Sequence, residues 1–262
     1  SNATLPYTGE WKTEAPAPCG SYIGGLYGLM YGGSIGYNTI ENISVYGTGD
    51  NVGGFAGAKW GSSIYRISGS NIRVHSEGKE FVGGVTGRLI QGEVSTQMLT
   101  GVTVTAPHAS KVGGLVGSLE SPSTSTESNY GVNSNAVKVT VEAGTEEAEG
   151  TVTSIGGLVG SIANGRNIIR NTVEADVRAA KASEVGGLVG TWQKGTVTDR
   201  PYVVAQNNLV TAKVDGYDKV GGLTGLYKQS QWVYNGMHSY RNLAAVQVTA
   251  EKGNGADAAF FY

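Results

Sequence analysis

Only 15% of the 262 residues are charged and the net charge at pH 7 is -2, so the chain offers no large basic surface for nucleic acid or anionic lipid. Glycine is abundant, at 42 residues, whereas proline occurs only 6 times. Because the glycines recur in register, this composition indicates a repeat protein and not a disordered low-complexity chain. No apolar run reaches the length of about 18 residues that a membrane span needs, which argues against membrane insertion.

The first 22 residues precede the repeats. Ser1, Asn2 and Ala3 have the sequence that remains after protease removal of an expression tag, and three prolines follow before the first repeat. Proline removes a backbone donor, so this segment suits a cap better than a regular strand. We predict that residues 1–22 are a tag remnant and a cap segment, in which Trp11 covers an open end of the domain.

A six-residue pattern of the form Val-Gly-Gly-Leu-Val-Gly returns seven times from residue 23 onward. The intervals between the first glycines of successive copies are 29, 30, 30, 43, 30 and 35 residues. A fixed period in this range is typical of a solenoid, a propeller or another repeat array. The copies are Ile23–Gly28, Val52–Gly57, Val82–Gly87, Val112–Gly117, Ile155–Gly160, Val185–Gly190 and Val220–Gly225.

Each repeat has a second landmark about 17 to 24 residues after its first glycine, where small or branched apolar residues alternate with polar ones. This period-two pattern predicts a half-buried strand. An asparagine precedes it in six of the seven repeats, and since asparagine tolerates the left-handed conformation, we expect it to mark a corner. These asparagines are Asn42, Asn71, Asn135, Asn171, Asn208 and Asn242. A weaker apolar position between the two landmarks, such as Ile64 or Ile168, predicts a further strand in some repeats.

These signals predict an all-β fold, a parallel β-solenoid that is most simply a right-handed β-helix, with about seven coils of roughly 30 residues and terminal caps. Residues 23–262 form one domain, which ends in an aromatic cap at 258–262. Two or three sheets per coil both fit the pattern.

We predict that two consecutive positions of the motif, those after the Gly-Gly pair, point in different directions when the coils stack, the first into the core and the second toward solvent. A bend at the Gly-Gly pair lets both the preceding Val or Ile and the following Leu point inward. The residues that follow the Gly-Gly pair are predicted to stack in one continuous row inside the solenoid, which we call the inner ladder. They are Leu26, Phe55, Val85, Leu115, Leu158, Leu188 and Leu223. The next residue varies more freely, so we expect it to face outward; these residues are Tyr27, Ala56, Thr86, Val116, Val159, Val189 and Thr224.

The two long intervals contain extra residues while both landmarks stay intact. The additions fall at 121–129, 142–150 and about 193–202. Insertions that leave the ladder in register belong to surface loops, which are often the functional side of a solenoid.

The array of Val-Gly-Gly-Leu-Val-Gly copies resembles the GLUG-motif family, which is found in bacterial cell-surface and secreted proteins, among them immunoglobulin-A-cleaving metallopeptidases and adhesins of gut bacteria. The resemblance covers residues 23–225, with the Phe55-Ala56 and Val85-Thr86 copies departing from the core pattern. It implies a β-rich, extracellular, non-catalytic repeat region, and it brings no catalytic residues.

Common catalytic and cofactor motifs are absent from the sequence. The three histidines, His75, His108 and His238, lack the paired spacing of a zinc peptidase, and Cys19 is the only cysteine. The glycine motif is not followed by the Lys-Ser/Thr of a phosphate-binding loop, and it contains no aspartate for calcium. We therefore expect no metal, no cofactor and no enzymatic activity.

Aromatic residues are the strongest indication of binding. Several follow a motif copy by similar distances, and if exposed they could stack on sugar rings or anchor a protein partner; shielding of the core edge is the alternative. The candidates are Trp60, Tyr65, Trp192, Tyr202, Trp232 and Tyr234.

We therefore expect an exported, extracellular or cell-surface adhesin or stalk-like interaction module, whose partner is a host or cell-surface protein or a glycan. The alternative is a carbohydrate-active β-helix enzyme or its carbohydrate-binding accessory domain, which would require two carboxylates converging in a groove. The candidate carboxylates are Glu142, Glu146, Glu147, Glu149, Asp215 and Asp218. A third possibility is a purely structural spacer.

Overall fold

A computed structural model describes residues 22–61, 63–121, 130–164, 167–194, 203–229 and 237–252. Over these residues the chain is all-β, with no helix, and its strands pair in parallel with the corresponding strands of neighbouring repeats. The prediction of a parallel β-solenoid is confirmed. The strands form three sheets, which answers the question that the sequence pattern left open.

Two of the sheets contain seven strands each. Sheet B begins within each motif copy and comprises Tyr27–Tyr31, Ala56–Trp60, Thr86–Ile90, Val116–Glu120, Val159–Ala163, Val189–Lys194 and Thr224–Gln229. Sheet C lies after the next corner and comprises Ile35–Gly36, Ser63–Tyr65, Glu93–Ser95, Gly131–Asn133, Asn167–Ile169, Val203–Gln206 and Met237–Tyr240. The weaker apolar position of each repeat belongs to sheet C, where Ile64, Val94 and Ile168 are fully buried.

Sheet A contains thirteen strands and holds both the alternating apolar landmark and the start of each motif. Its strands are Ile23–Gly24, Thr39–Glu41, Ser44–Gly47, Val52–Gly53, Ser68–Ser76, Glu80–Gly83, Met98–Ala106, Ser110–Gly113, Ala136–Ala143, Thr153–Gly156, Thr172–Gly186, Leu209–Gly221 and Leu243–Ala250. One repeat therefore runs from the end of sheet A through the motif into sheet B, then through sheet C, and back to sheet A. Equivalent motif residues stack directly, as in the pairing of Val82 with Val112 and of Val112 with Ile155.

The motif glycines allow backbones to touch at the corner between sheets A and B. A Cβ atom on Gly113 would lie 2.1 Å from the Val116 carbonyl oxygen and 2.7 Å from the Gly160 nitrogen. A Cβ atom on Gly114 would lie 2.1 Å from the Gly157 carbonyl oxygen and 2.8 Å from a methyl carbon of Val139. None of the motif glycines has a positive φ, so these positions require glycine for space and not for backbone conformation.

The bend places both flanking apolar residues in the core, as predicted: Val112 and Leu115 are both fully buried. The inner ladder is buried from Phe55 to Leu188, while Leu26 in the first repeat is 41% exposed and Leu223 in the last is half-buried.

The prediction that the residue after this ladder faces outward is wrong for the inner repeats. Ala56, Thr86, Val116, Val159 and Val189 are all fully buried. The N–H groups of Leu115 and Val116 both donate to the Leu158 carbonyl, at 3.0 and 3.1 Å. Two consecutive residues thus share one acceptor, which interrupts the alternation of a regular strand, as in a β-bulge.

The asparagines before the alternating strands fall into two classes. The prediction that all of them mark the same corner is therefore wrong. Asn42 and Asn71 are left-handed, with φ of 57° and 55°, but they lie within or beside the sheet A strands of the first repeats. Asn135, Asn171 and Asn208 stand at the corner between sheets C and A, where the preceding residue takes the left-handed conformation instead.

These corner asparagines form a ladder of side-chain hydrogen bonds. The Asn171 amide donates to Asn208 Oδ1 at 2.9 Å and to the Val132 carbonyl at 2.9 Å, and Asn171 Oδ1 accepts from the Asn135 amide at 2.9 Å. Asn171 is only 1% exposed. Because a buried amide is costly unless its donors and acceptor are paired, the ladder fixes the register of successive repeats.

The crowding at the motif corner predicts that Gly113→Ala lowers the free energy of unfolding by about 3 kcal/mol, since the new methyl group must displace backbone atoms. Chemical denaturation followed by circular dichroism measures this change. Gly32→Ala is the matched control: Gly32 has a φ of 70° with no other atom near its Cβ position, so the substitution should cost only about 1 kcal/mol. Equal effects of the two substitutions would contradict the requirement for space at Gly113.

Candidate binding surface

An exposed pair of aromatic rings lies on the outer face of sheet B, at the end of its first two strands. Tyr31 and Trp60 are paired in register, with ring centroids 5.6 Å apart and an interplanar angle of 40°. Tyr31 is 78% exposed and Trp60 is 40% exposed. The Trp60 indole Nε1 donates to Gln91 Oε1 of the next repeat at 3.1 Å, which holds the ring in place.

A second aromatic pair follows across the corner, on sheet C. Tyr37 and Tyr65 pack edge to face, with ring centroids 5.4 Å apart. The Arg66 Nη1 donates to the Tyr37 hydroxyl at 2.6 Å, and the guanidinium carbon lies 5.1 Å from the centre of that ring. A Cβ atom on Gly36 would lie 2.6 Å from the Tyr65 ring, so glycine at that position makes room for the tyrosine. We call Tyr31, Trp60, Tyr37 and Tyr65 the aromatic patch.

A buried lysine supports the corner between the two pairs. Lys59 is fully buried and points inward from the strand that carries Trp60. Its ammonium donates to the Gly32 carbonyl at 2.9 Å and to the Gly61 carbonyl, and both glycines are left-handed corner residues. Burial lowers the pKa of Lys59. The lysine therefore ties the corners of the first two repeats together beneath the aromatic patch.

Trp192 does not belong to this surface, because its side chain is fully buried. It stacks in register between Ile162 and Tyr227 on an inward position of sheet B. Trp60 lies seven residues after the first glycine of its motif and Trp192 only six. A shift of one residue moves a side chain to the opposite face of a strand. Of the remaining candidates, Tyr202, Trp232 and Tyr234 lie outside the described residues.

Sequence reasoning missed Tyr31, Tyr37, Arg66 and Gln91. Tyr31 stands seven residues after the first glycine of its motif, the same spacing as Trp60, and Tyr37 precedes Arg66 by 29 residues, one repeat. Comparison of each position with its counterpart one repeat away would have found these residues.

Acidic and histidine side chains gather at the turns of sheet A. His108 Nδ1 lies 3.0 Å from Glu147 Oε1, and His108 Nε2 lies 3.5 Å from Glu77 and 3.6 Å from Glu146. Lys79 pairs with Glu147 at 2.5 Å, and this contact, together with His108, holds the pKa of Glu147 below its usual value. Within the described ranges no group of three or more His, Cys, Asp or Glu residues is placed to hold a metal ion.

The other candidate carboxylates for catalysis are also engaged. Glu142 pairs with Arg178 at 2.8 Å and Asp218 with Lys219 at 3.3 Å, while the Asp215 carboxylate lies 4.0 Å from Lys213. Glu149 is hydrogen-bonded to Tyr217. The contacts of Glu142, Asp215 and Asp218 are those of surface ion pairs. In the part of the chain that the structure describes, no helix has the length and apolarity to cross a membrane.

Comparison with known proteins yields one relative of note. The chain is 32% identical over 168 residues to halomucin of Haloquadratum walsbyi, a match that covers 63% of this chain and 2% of halomucin. The chain thus spans a very small part of that relative's length. No protein-family model matches the chain, and no solved structure matches it.

Because Trp192 is buried and Trp60 is half-exposed, we predict that their removal lowers the free energy of unfolding by different amounts. Trp192→Ala leaves a large cavity and should lower the free energy of unfolding by about 3 to 5 kcal/mol. Trp60→Ala removes a half-exposed ring and should cost about 1 kcal/mol or less. Urea denaturation of both variants measures the difference, and a similar loss in each would show that the burial of Trp192 is wrong.

Proposed function

We propose that the protein is a non-catalytic recognition module, a surface or secreted adhesin that binds glycans through the aromatic patch. The observation that carries this proposal is the exposure of Tyr31 and Trp60 side by side at the end of sheet B. Neighbouring aromatic rings that are partly exposed at the surface are typical of binding sites, where the apolar ring face takes up a ligand.

The surroundings of the patch suit a sugar better than a purely apolar partner. Trp60 is oriented by Gln91 and Tyr37 by Arg66, so amide and guanidinium groups adjoin the ring faces. Ligand sites commonly combine apolar contact surface with a few placed polar groups that fix orientation. Sugars match this chemistry, because their C–H faces stack on rings while their hydroxyl groups take hydrogen bonds.

The scaffold is better suited to displaying a binding site than to catalysis. The patch stands on strands that are paired in register with their neighbours and anchored beneath by Lys59. A stacked solenoid is a stiff, extended body from which contacts can be presented. The resemblance to the GLUG-motif family and the similarity to halomucin support an exported protein. The ion-paired carboxylates favour binding over a glycosidase-type reaction, which needs a free acid and a free base or nucleophile.

A glycan-array screen of the protein and of a Tyr31→Ala/Trp60→Ala variant tests the proposal. The unmodified protein should bind one glycan class, and the variant should bind it at least about tenfold more weakly, since buried aromatic anchors dominate binding energy.

The control for this screen is Tyr46→Ala/His75→Ala, which removes a stacked pair of half-buried rings, with centroids 5.0 Å apart, from sheet A. This control should bind as the unmodified protein does. Absence of binding to every glycan, or equal weakening by both double substitutions, would refute a glycan site at the aromatic patch.

A further inference from the structure

The corner between sheets C and A carries one exposed residue in every repeat. Each follows the last residue of a sheet C strand, and all seven have a left-handed φ between 50° and 59° and an exposed side chain. They are Tyr37, Arg66, Thr96, Ser134, Arg170, Asn207 and Arg241. We call this row the corner ridge.

The ridge is regular because its backbone continues the hydrogen bonding of sheet C. The Arg66 N–H donates to the Ser95 carbonyl at 3.1 Å, and the Arg170 N–H donates to the Gln206 carbonyl at 2.9 Å. Repeats stack at about 4.8 Å, so Arg66 and Arg170 stand about 14 Å apart, and Arg170 and Arg241 about 10 Å apart. The backbone positions of the three arginines thus lie in one row parallel to the solenoid axis.

The arginines of the ridge have no carboxylate partner among the described residues. On the other sheets, Arg88 pairs with Glu120 at 2.7 Å and Arg178 with Glu142 at 2.8 Å. Arg73 of sheet A, like the ridge arginines, has no carboxylate partner among the described residues. Arg66 contacts the Tyr37 hydroxyl, which leaves its remaining N–H donors available. The ridge therefore presents positive charge that the surrounding protein does not neutralise.

Apart from Ile169 and Val204, the outer face of sheet C beside the ridge is polar and aromatic among the described side chains. Its one acidic side chain among the described residues, Glu93, accepts a hydrogen bond from the Asn133 amide at 3.0 Å. Tyr65 precedes Arg66 and Tyr240 precedes Arg241, so a tyrosine adjoins an arginine near each end of the row. Tyr240 is 42% exposed and its hydroxyl donates to Gln206 Oε1 at 2.8 Å.

We infer that the corner ridge binds an anionic linear glycan that lies along the solenoid axis, with its carboxylate or sulfate groups on Arg66, Arg170 and Arg241. Guanidinium groups bind such oxyanions through paired hydrogen bonds. The glycan enters the aromatic patch at Tyr37, which Arg66 touches. This inference rests on the proposed function and narrows its ligand to acidic polymers.

The test compares binding of dextran sulfate, polygalacturonate and neutral dextran to an Arg66→Gln/Arg170→Gln/Arg241→Gln variant and to the unmodified protein. The unmodified protein should bind one or both acidic polymers, less strongly as salt is raised, and the variant should bind at least about tenfold more weakly. The two acidic polymers distinguish sulfate from carboxylate as the recognised group.

The matched control is Lys138→Gln/Lys213→Gln/Lys219→Gln, which removes the same charge from exposed lysines that pair with or adjoin carboxylates. It should change the affinity by less than about twofold. Equal weakening by both triple variants would show a general charge effect and overturn the ridge as the site, as would equally tight binding of duplex DNA to the unmodified protein.

The two proposals fail separately in these experiments. If neutral glycans bind and Tyr31→Ala/Trp60→Ala abolishes that binding while the arginine variant leaves every affinity unchanged, the aromatic patch stands and the ridge is refuted. If neither neutral nor acidic glycans bind, both proposals are refuted.

Discussion

The contact of backbone with backbone at the motif corner is the constraint on which the rest of this structure depends. Sheets A and B meet so closely at Gly113 and Gly114 that a single Cβ atom would overlap carbonyl oxygens at 2.1 Å. This closeness lets Val112 and Leu115 fill the same core from either side of a four-residue bend. Because the bend recurs identically, every strand stacks on its counterpart in the next repeat, and the asparagine ladder secures that register.

Because the repeats stack in register, equivalent residues of successive repeats form rows of side chains on the surface. A residue one repeat away becomes a direct neighbour, as Tyr31 is to Trp60 and Tyr37 to Arg66. Because side chains alternate between the two faces of a strand, a difference of one residue in the spacing from the motif buries Trp192 and exposes Trp60. The surfaces that we propose for recognition are therefore rows of side chains that cross the repeats.

The sequence predicted the solenoid because seven glycine motifs at a nearly constant period leave few other arrangements. It could not predict the number of sheets, because sheet C rests on a single inward residue per repeat, such as Ile64 or Val94. The prediction that Val116 faces outward was wrong because two consecutive N–H groups share one carbonyl acceptor. The pattern of apolar residues in the sequence does not reveal this irregularity. The spacing of aromatic residues after the motif pointed to Trp60, with Tyr65 beside it, whereas their partners in the first repeat require knowledge of which residues stack.

Hydroxyl-radical footprinting with and without the bound glycan tests the central claim, that exposed side chains in register across neighbouring repeats form the recognition surface. The account predicts that Trp60 and Tyr31 are oxidised in the free protein and protected by the ligand, while Trp192 reacts slowly in both states because it is fully buried. Oxidation of Trp192 at the rate of Trp60 would contradict the fold, and unchanged oxidation of Trp60 and Tyr31 under saturating ligand would contradict the site.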